Sequence, residues 1–371
     1  MTIVGGADPN VGLGGYLTGG GHSPLSSRYG LAVDNIVEMF VATPTGDIIR
    51  ANVCENQEFF WAIRGGGGAT FGVLLNATIR AYPMPSVTFT RLDFNSTKEE
   101  ATDKNNTAFY NAASRLISDL PDLYTKGISG YFSMVPITEP VEGKSQMNFA
   151  FLLYSFESNP TLQEKLSPIM SQLNITPGLT TSLPDQQTLR FIDFQAIYMR
   201  SDSVGMNRFT VSRLWDAPAV SDTENVNRAL RSFSNSFLQG TAVTGSGVQR
   251  KPLEDSAVHP AWRRTVVHMM GNVGYALGGS EDERSAAMQL ADTLSEDLYA
   301  VAPDMGCYVN EAHIHQPDYR KAFWGENYDK LLGIKRRVDP AGVFWCEMCV
   351  GADDWILQAD GRICKMDKGV S

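Results

Sequence analysis

The sequence is short of charge and of histidine. Charged residues make up 19% of its 371 positions, histidine occurs five times, and acids outnumber bases by 41 to 31 for a formal charge of −10. That balance argues against nucleic acid or an anionic membrane surface as the main partner. No apolar run approaches the roughly 18–20 residues that a bilayer-spanning helix needs, so no membrane partner is expected. Met1 to Gly6 carries no basic segment followed by an apolar stretch, so the sequence as given shows no secretory leader. The strand–G-x-G-x-x-G–helix dinucleotide fingerprint is lacking, as are the phosphate-loop lysine and any internal repeat. Cysteine is sparse and odd in number: Cys54, Cys307, Cys346, Cys349 and Cys364. Cys346 and Cys349 form a C-x-x-C, but with no second such pair and no clustered histidines it makes a poor zinc site, and no metal is expected. A disulfide between Cys364 and either Cys346 or Cys349 is predicted instead. Sequons at Asn76, Asn95, Asn105 and Asn174 point toward a secretory-pathway glycoprotein, whereas the sequence as given would stay cytoplasmic.

Glycine, by contrast, is plentiful, with 34 copies concentrated near the N-terminus. Residues 1–35 are too rich in anchors such as Tyr16, Leu17 and Leu25 to be a linker. Ile36–Thr43 and Asp47–Val53 are β-rich runs joined by the turn Pro44-Thr45-Gly46. Asn56 opens a short helix, and Phe71–Tyr82 reads as a strand. Helical spacing follows from Phe109 to Leu120 with a stop at Pro121, and again after Asn159-Pro160. It recurs from a Ser221/Glu224 capping box through Phe237 to Gly240, and from a Ser280/Glu283 box to Leu298. Strand candidates at 128–135, 147–155, 207–213 and 264–274 alternate with these helices. The pattern predicts an α+β fold with an antiparallel sheet covered by helices.

Clusters of glycine bring backbone N–H groups close to a ligand where a Cβ would block the approach. Gly19-Gly20-Gly21 and Gly65-Gly66-Gly67-Gly68 are of this kind, though tight turns also produce such clusters. Their neighbours are more specific. The run from Gly5 through Gly12-Leu13-Gly14-Gly15-Tyr16 to Gly19-Gly20-Gly21-His22 is followed by Tyr29 to Asn35 and by Phe60 to Gly68. Far downstream come Tyr308-Val309-Asn310-Glu311-Ala312, Phe323-Trp324-Gly325-Glu326-Asn327-Tyr328, Asp339-Pro340 and Val343-Phe344-Trp345. These ordered motifs resemble the FAD-linked oxidases of the berberine-bridge-enzyme-like group within the vanillyl-alcohol-oxidase/PCMH superfamily, in the fungal isoamyl-alcohol-oxidase-like branch. The resemblance is close over 1–83 and 307–364 and loose between them.

The resemblance implies three parts: a section of the PCMH-type FAD-binding domain at 1–85, a substrate domain at 86–305, and a C-terminal segment at 306–371 returning to the flavin. It also implies FAD as cofactor and a small metabolite, an alcohol or similar group, as substrate. Dioxygen would be the acceptor, in secondary metabolism, and the protein a monomer. His22 stands where relatives can carry the catalytic base, a suitable role for an imidazole titrating near neutrality. Tyr16, Tyr308 and Tyr328 match other active-site positions. Gly12, Gly14, Gly15, Gly19, Gly20, Gly21, Asp34, Asn35, Gly67, Gly68, Phe71, Gly72, Val73 and Asn310 match the cofactor-binding set. His313 and His315 read as an exposed loop pair. Two departures stand out. Asp8 occupies the position of a flavin-linking cysteine, and the histidine-bearing first flavin segment is missing ahead of Met1, so covalent attachment is not expected. A flavin-free metabolite-binding or cyclising remnant, or an inactive truncated fragment, is the alternative.

Overall fold

The computed structural model describes residues 1–137, 145–157, 161–199 and 206–366. After the short helix α1 (Leu13–Gly19), strands β1 (Ile36–Ala42) and β2 (Ile48–Asn52) form the expected hairpin. Gly46 closes its turn at φ +88°, in the left-handed region that favours glycine, and donates its N–H to the Thr43 carbonyl at 3.0 Å. Helix α2 (Gln57–Ile63) then leads to β3 (Val73–Ile79), which pairs antiparallel with the other side of β1.

The larger sheet is eight-stranded and antiparallel throughout. It contains β4 (Ser86–Ser96), β5 (Ile128–Pro136), β6 (Met147–Ser155), β7 (Leu179–Ser182) and β8 (Gln187–Arg190). The remaining strands are β9 (Arg208–Asp216), β10 (Phe237–Ala242) and β11 (Thr265–Gly274). They run in the order β8-β4-β6-β5-β10-β11-β9, with β7 also on β4. Alternation divides its residues between two faces. Phe132, Phe149, Phe151, Val267 and Met269 point into one core with helices α3 (Thr107–Ser118), α4 (Leu162–Asn174), α5 (Thr223–Ser232) and α6 (Glu281–Val301). Tyr131, Leu152, His268 and Met270 have the opposite parity and face the glycine-rich half of the molecule. The predicted helix-covered antiparallel sheet is what forms. A second core joins residues 1–89 to Phe191, Phe194 and the C-terminal helix α7 (Tyr328–Val338).

Several local expectations change. Pro121 does not end a helix but sits in the first turn of the next one, Leu120–Thr125, where its missing N–H leaves no bond unmade. Asp222, not Ser221, caps α5 by accepting the Asn225 N–H at 3.1 Å. That helix stops at Ser232, and Phe237 and Gly240 belong to β10. Gly240 is needed there because the Phe132 ring lies 2.0 Å from where its Cβ would stand. Asn159 and Pro160 lie outside the described residues, whereas the Ser280/Glu283 box forms as expected. The disulfide joins Cys346 to Cys349, whose Cα atoms are 5.3 Å apart, within bridging range. Cys364 is exposed and free, held opposite Ile356 in a two-stranded hairpin. Of the sequon residues, Asn76, Asn105 and Asn174 are exposed, while Asn95 is half-buried and accepts a hydrogen bond from Asn148. Among the described residues no helix is long and apolar enough to cross a membrane.

The turn into β11 rests on buried His259, whose Nδ1 accepts the Ala261 N–H and whose Nε2 donates to the Lys321 carbonyl, both at 2.9 Å. Burial lowers its pKa to about 4; the Lys321 carbonyl opposes that shift, and the charges of Arg213 and Arg264 add to it. The folded state therefore holds His259 neutral while the unfolded chain takes up a proton near pH 6.5. Its contribution to stability is complete above pH 6.5 and is lost as pH falls toward 4, by about 3 kcal/mol at 1.36 kcal/mol per unit. Urea midpoints at pH 7 and pH 4.5 are expected to converge in His259→Gln relative to the unaltered chain; an unchanged gap refutes this.

Candidate active site

Two glycines deliver His22 to the interior. Gly20 and Gly21 adopt φ of +136° and +75°, and a Cβ on Gly21 would meet Ala32 at 2.6 Å. The chain therefore reverses sharply after α1 and is held by the Ala32 N–H to the Gly21 carbonyl at 2.8 Å. His22 emerges at the edge of a cleft of about 770 Å³ between the glycine-rich half and the open face of the large sheet. Asp8 and Val11 line one wall; Tyr131, Gln239, Met270 and Asn272 line the other, with Arg208 and Glu311 also at the cleft.

The carboxylate of Glu311 is the electrostatic centre. His22 Nε2 lies 3.2 Å from Oε1, and Nδ1 of wholly buried His268 lies 3.4 Å from Oε2 without hydrogen-bond alignment. Burial opposes ionisation of Glu311, but His22, through charge and hydrogen bond, together with His268 and Arg208, outweighs it and holds the pKa at about 2. Burial brings His268 down to about 4, against the attraction of Glu311. Both residues escaped sequence reasoning. Glu311 lies inside the Tyr-Val-Asn-Glu-Ala motif and was legible there, whereas nothing local marks His268.

Of the predicted residues, Tyr16 and Tyr308 join His22. The Tyr16 hydroxyl donates to the His22 carbonyl at 3.1 Å, and the Tyr308 hydroxyl accepts the Gly21 N–H at 3.2 Å. Burial pushes both phenols above their ordinary range, as it does Tyr131, whose buried hydroxyl has no hydrogen-bond partner among the described residues. Asn310 donates to the Tyr308 hydroxyl at 2.8 Å and to the Gly15 carbonyl at 2.9 Å. The C-terminal segment thus returns to the glycine loops. Trp324 Nε1 donates to the Gly65 carbonyl at 3.0 Å and buried Lys335 to the Thr70 carbonyl at 2.6 Å.

Other predicted residues are engaged elsewhere. Asp34 is paired with Arg263 at 2.7 and 2.9 Å, and Asn35 donates to the Leu31 carbonyl at 2.8 Å. Tyr328 is buried, with its hydroxyl accepting the Gly351 N–H. Phe71 packs on Phe59, Gly72 presses against the Ala42 carbonyl, and Val73 starts β3 facing outward. His313 is not exposed: it is buried with Nε2 2.6 Å from Asp292, and only His315 faces solvent.

The glycines divide into two kinds. Gly19 leaves room for the Asn310 amide, and Gly65 at φ +123° for the Val258 backbone, so internal packing accounts for them. Gly67 is buried beside Thr70 and Trp324. Gly12, Gly14 and Gly15 are exposed and have no atom within 4 Å of a notional Cβ, and Gly68 approaches Gly15 at 3.2 Å. These form an open backbone shelf that continues in sequence from Val11 on the cleft wall.

The sequence pattern of the family described as berberine and berberine-like matches residues 307–351. The FAD-linked oxidoreductase patO of Aspergillus clavatus is 32% identical, over 99% of this chain and 63% of its own length. An uncharacterized FAD-linked oxidoreductase of Arthroderma benhamiae is 31% identical over 96% of this chain and 62% of its own. The chain thus spans less than two thirds of these curated relatives. Among solved structures, the VAO-type flavoprotein MtVAO713 of Myceliophthora thermophila superposes with a TM-score of 0.89 at 29% identity, covering 98% of this chain and 65% of that one.

Proposed function

Because this chain belongs to the berberine-bridge-like, VAO-type flavoprotein family, we propose that it acts as an FAD-linked oxidoreductase on an alcohol of a small metabolite, with dioxygen as acceptor. The observation that carries this reading is the His22–Glu311 pair at a cleft roomy enough for a small-molecule substrate. The shelf of Gly12, Gly14, Gly15 and Gly68 leaves backbone open to a cofactor, since nothing lies within 4 Å of a Cβ at Gly12, Gly14 or Gly15. FAD, when held there, would supply the two-electron redox chemistry between the substrate alcohol and dioxygen. The chain's own residues handle the proton. Glu311 accepts the Nε2–H of His22, and the pair, at the edge of the cleft, is placed to take up the substrate's hydroxyl proton. The carboxylate then balances the imidazolium. Asp8 cannot form a thioether, so no cysteinyl flavin bond arises at that position. Secondary metabolism and a monomeric state remain part of this proposal.

A flavin-free metabolite-binding protein is the second reading, favoured by the internal packing that already accounts for Gly19 and Gly65. The absorption spectrum of the purified chain, with FAD added and then after acid precipitation, separates the two. A flavin spectrum whose colour moves to the supernatant is expected. Colour retained in the pellet contradicts the non-covalent assignment, and absence of any flavin spectrum sinks the oxidase reading in favour of the second.

A further inference from the structure

His268 is buried with its side chain 0% exposed, and neither ring nitrogen has a hydrogen-bond partner among the described residues. An unsatisfied buried polar atom is destabilising, and such groups in native proteins call for an explanation, a bound ion among them. The imidazole sits against a carboxylate and a second imidazole. Donor atoms of His22, His268 and Glu311 all lie within 4.8 Å of one another. The individual separations are 3.2 Å from His22 Nε2 to Glu311 and 3.4 Å from His268 Nδ1 to Glu311. Ligand atoms around tetrahedral zinc, at bonds of ~2.0–2.1 Å, stand roughly 3.3 Å apart. Two imidazoles and a carboxylate form a common three-ligand zinc set, and the cleft leaves the fourth position open to water or another small ligand.

We infer that His22, His268 and Glu311 form a binding site for a divalent cation of the zinc class. The three ligands come from distant parts of the chain: the loop after α1, the middle of β11, and the C-terminal motif. His268 is fixed in a strand paired on both sides, and Glu311 lies in the short helical turn Val309–Glu311. Metal on His22 Nε2 displaces the proton that Glu311 otherwise accepts, so metal binding and the base role exclude each other. The binding itself is independent of the oxidase reading. A second cluster, Asp292, His313 and His315, is less enclosed, since Asp292 and His315 are both exposed.

The test is calorimetric titration of the chelator-treated full chain with ZnCl₂, without flavin, followed by the visible spectrum of the Co²⁺ form. One equivalent is expected to bind with a dissociation constant of roughly micromolar or tighter, and Co²⁺ to give the intense absorption of a four-coordinate site. His268→Gln and Glu311→Gln should each weaken this at least about tenfold, and Asp292→Asn should leave it unchanged. Should His268→Gln fail to fold, Glu311→Gln, at the partly exposed cleft, carries the same reading. Absence of binding, binding insensitive to Glu311→Gln, or binding lost in Asp292→Asn overturns the site.

Discussion

Arg263→Met is expected to lower the stability of the chain by about 3–5 kcal/mol, because it strands the buried Asp34 carboxylate without its partner. Arg263 is 5% exposed and Asp34 0%, and the two meet in a two-pronged contact at 2.7 and 2.9 Å. Asp34 also accepts the Leu31 N–H at 2.8 Å, a bond too weak to offset an uncompensated interior charge. The pair ties the turn leading into β11 to the loop following the glycine reversal, so its loss loosens both sides of the cleft. Exchanging both residues, Asp34→Asn with Arg263→Met, should recover much of the loss, since no unpaired charge is then buried. Urea midpoints of the single and double variants measure this; a single variant within 1 kcal/mol of the unaltered chain refutes it.

Loss of the imidazole in His22→Gln should reduce turnover by about 10²–10⁴-fold, the range that a positioned general base supplies. Oxygen uptake with the fastest of a panel of small alcohols is the readout. Glu311→Gln keeps a hydrogen-bond acceptor but removes the charge that balances the imidazolium, so its effect should be smaller and centred on kcat. Flavin content should be unchanged in both, since neither side chain belongs to the glycine shelf. His22→Gln retaining activity within about threefold would remove His22 from the base role and leave the cleft with another proton acceptor.

Sequence carried the fold further than the site. Strand periodicity in 128–135 and 147–155 was clear because one face must pack on helices, and the Ser280/Glu283 pair specifies its cap through neighbouring residues. Gly240 misled because the sequence shows an ending where the structure has a strand; only the Phe132 ring across the sheet accounts for the glycine. The cysteine pairing failed because the register of 355–357 with 363–365 holds Cys364 apart from the C-x-x-C. At the site, His22 was legible through its glycine context. His268 was not: its sequence neighbours describe a core strand, and its meaning comes from Glu311 and His22 across long stretches of chain. Asp34 and Asn35 fit a motif yet spend their polar groups inside the protein, a distinction that no linear pattern carries.

The parity of the large sheet separates two kinds of mutational freedom. Along β5, β6, β10 and β11, residues of one register pack against helices, while their immediate neighbours meet the cleft. Substitutions at Ser133, Ala150, Gln239 or Asn272 can therefore reshape what the cleft admits while sparing the helix-packed layer. A single-residue insertion in any of these strands does the reverse and exchanges the two sets. Diversification of a chain built this way is expected to proceed by point replacement in alternate strand positions, with length changes confined to the connecting loops.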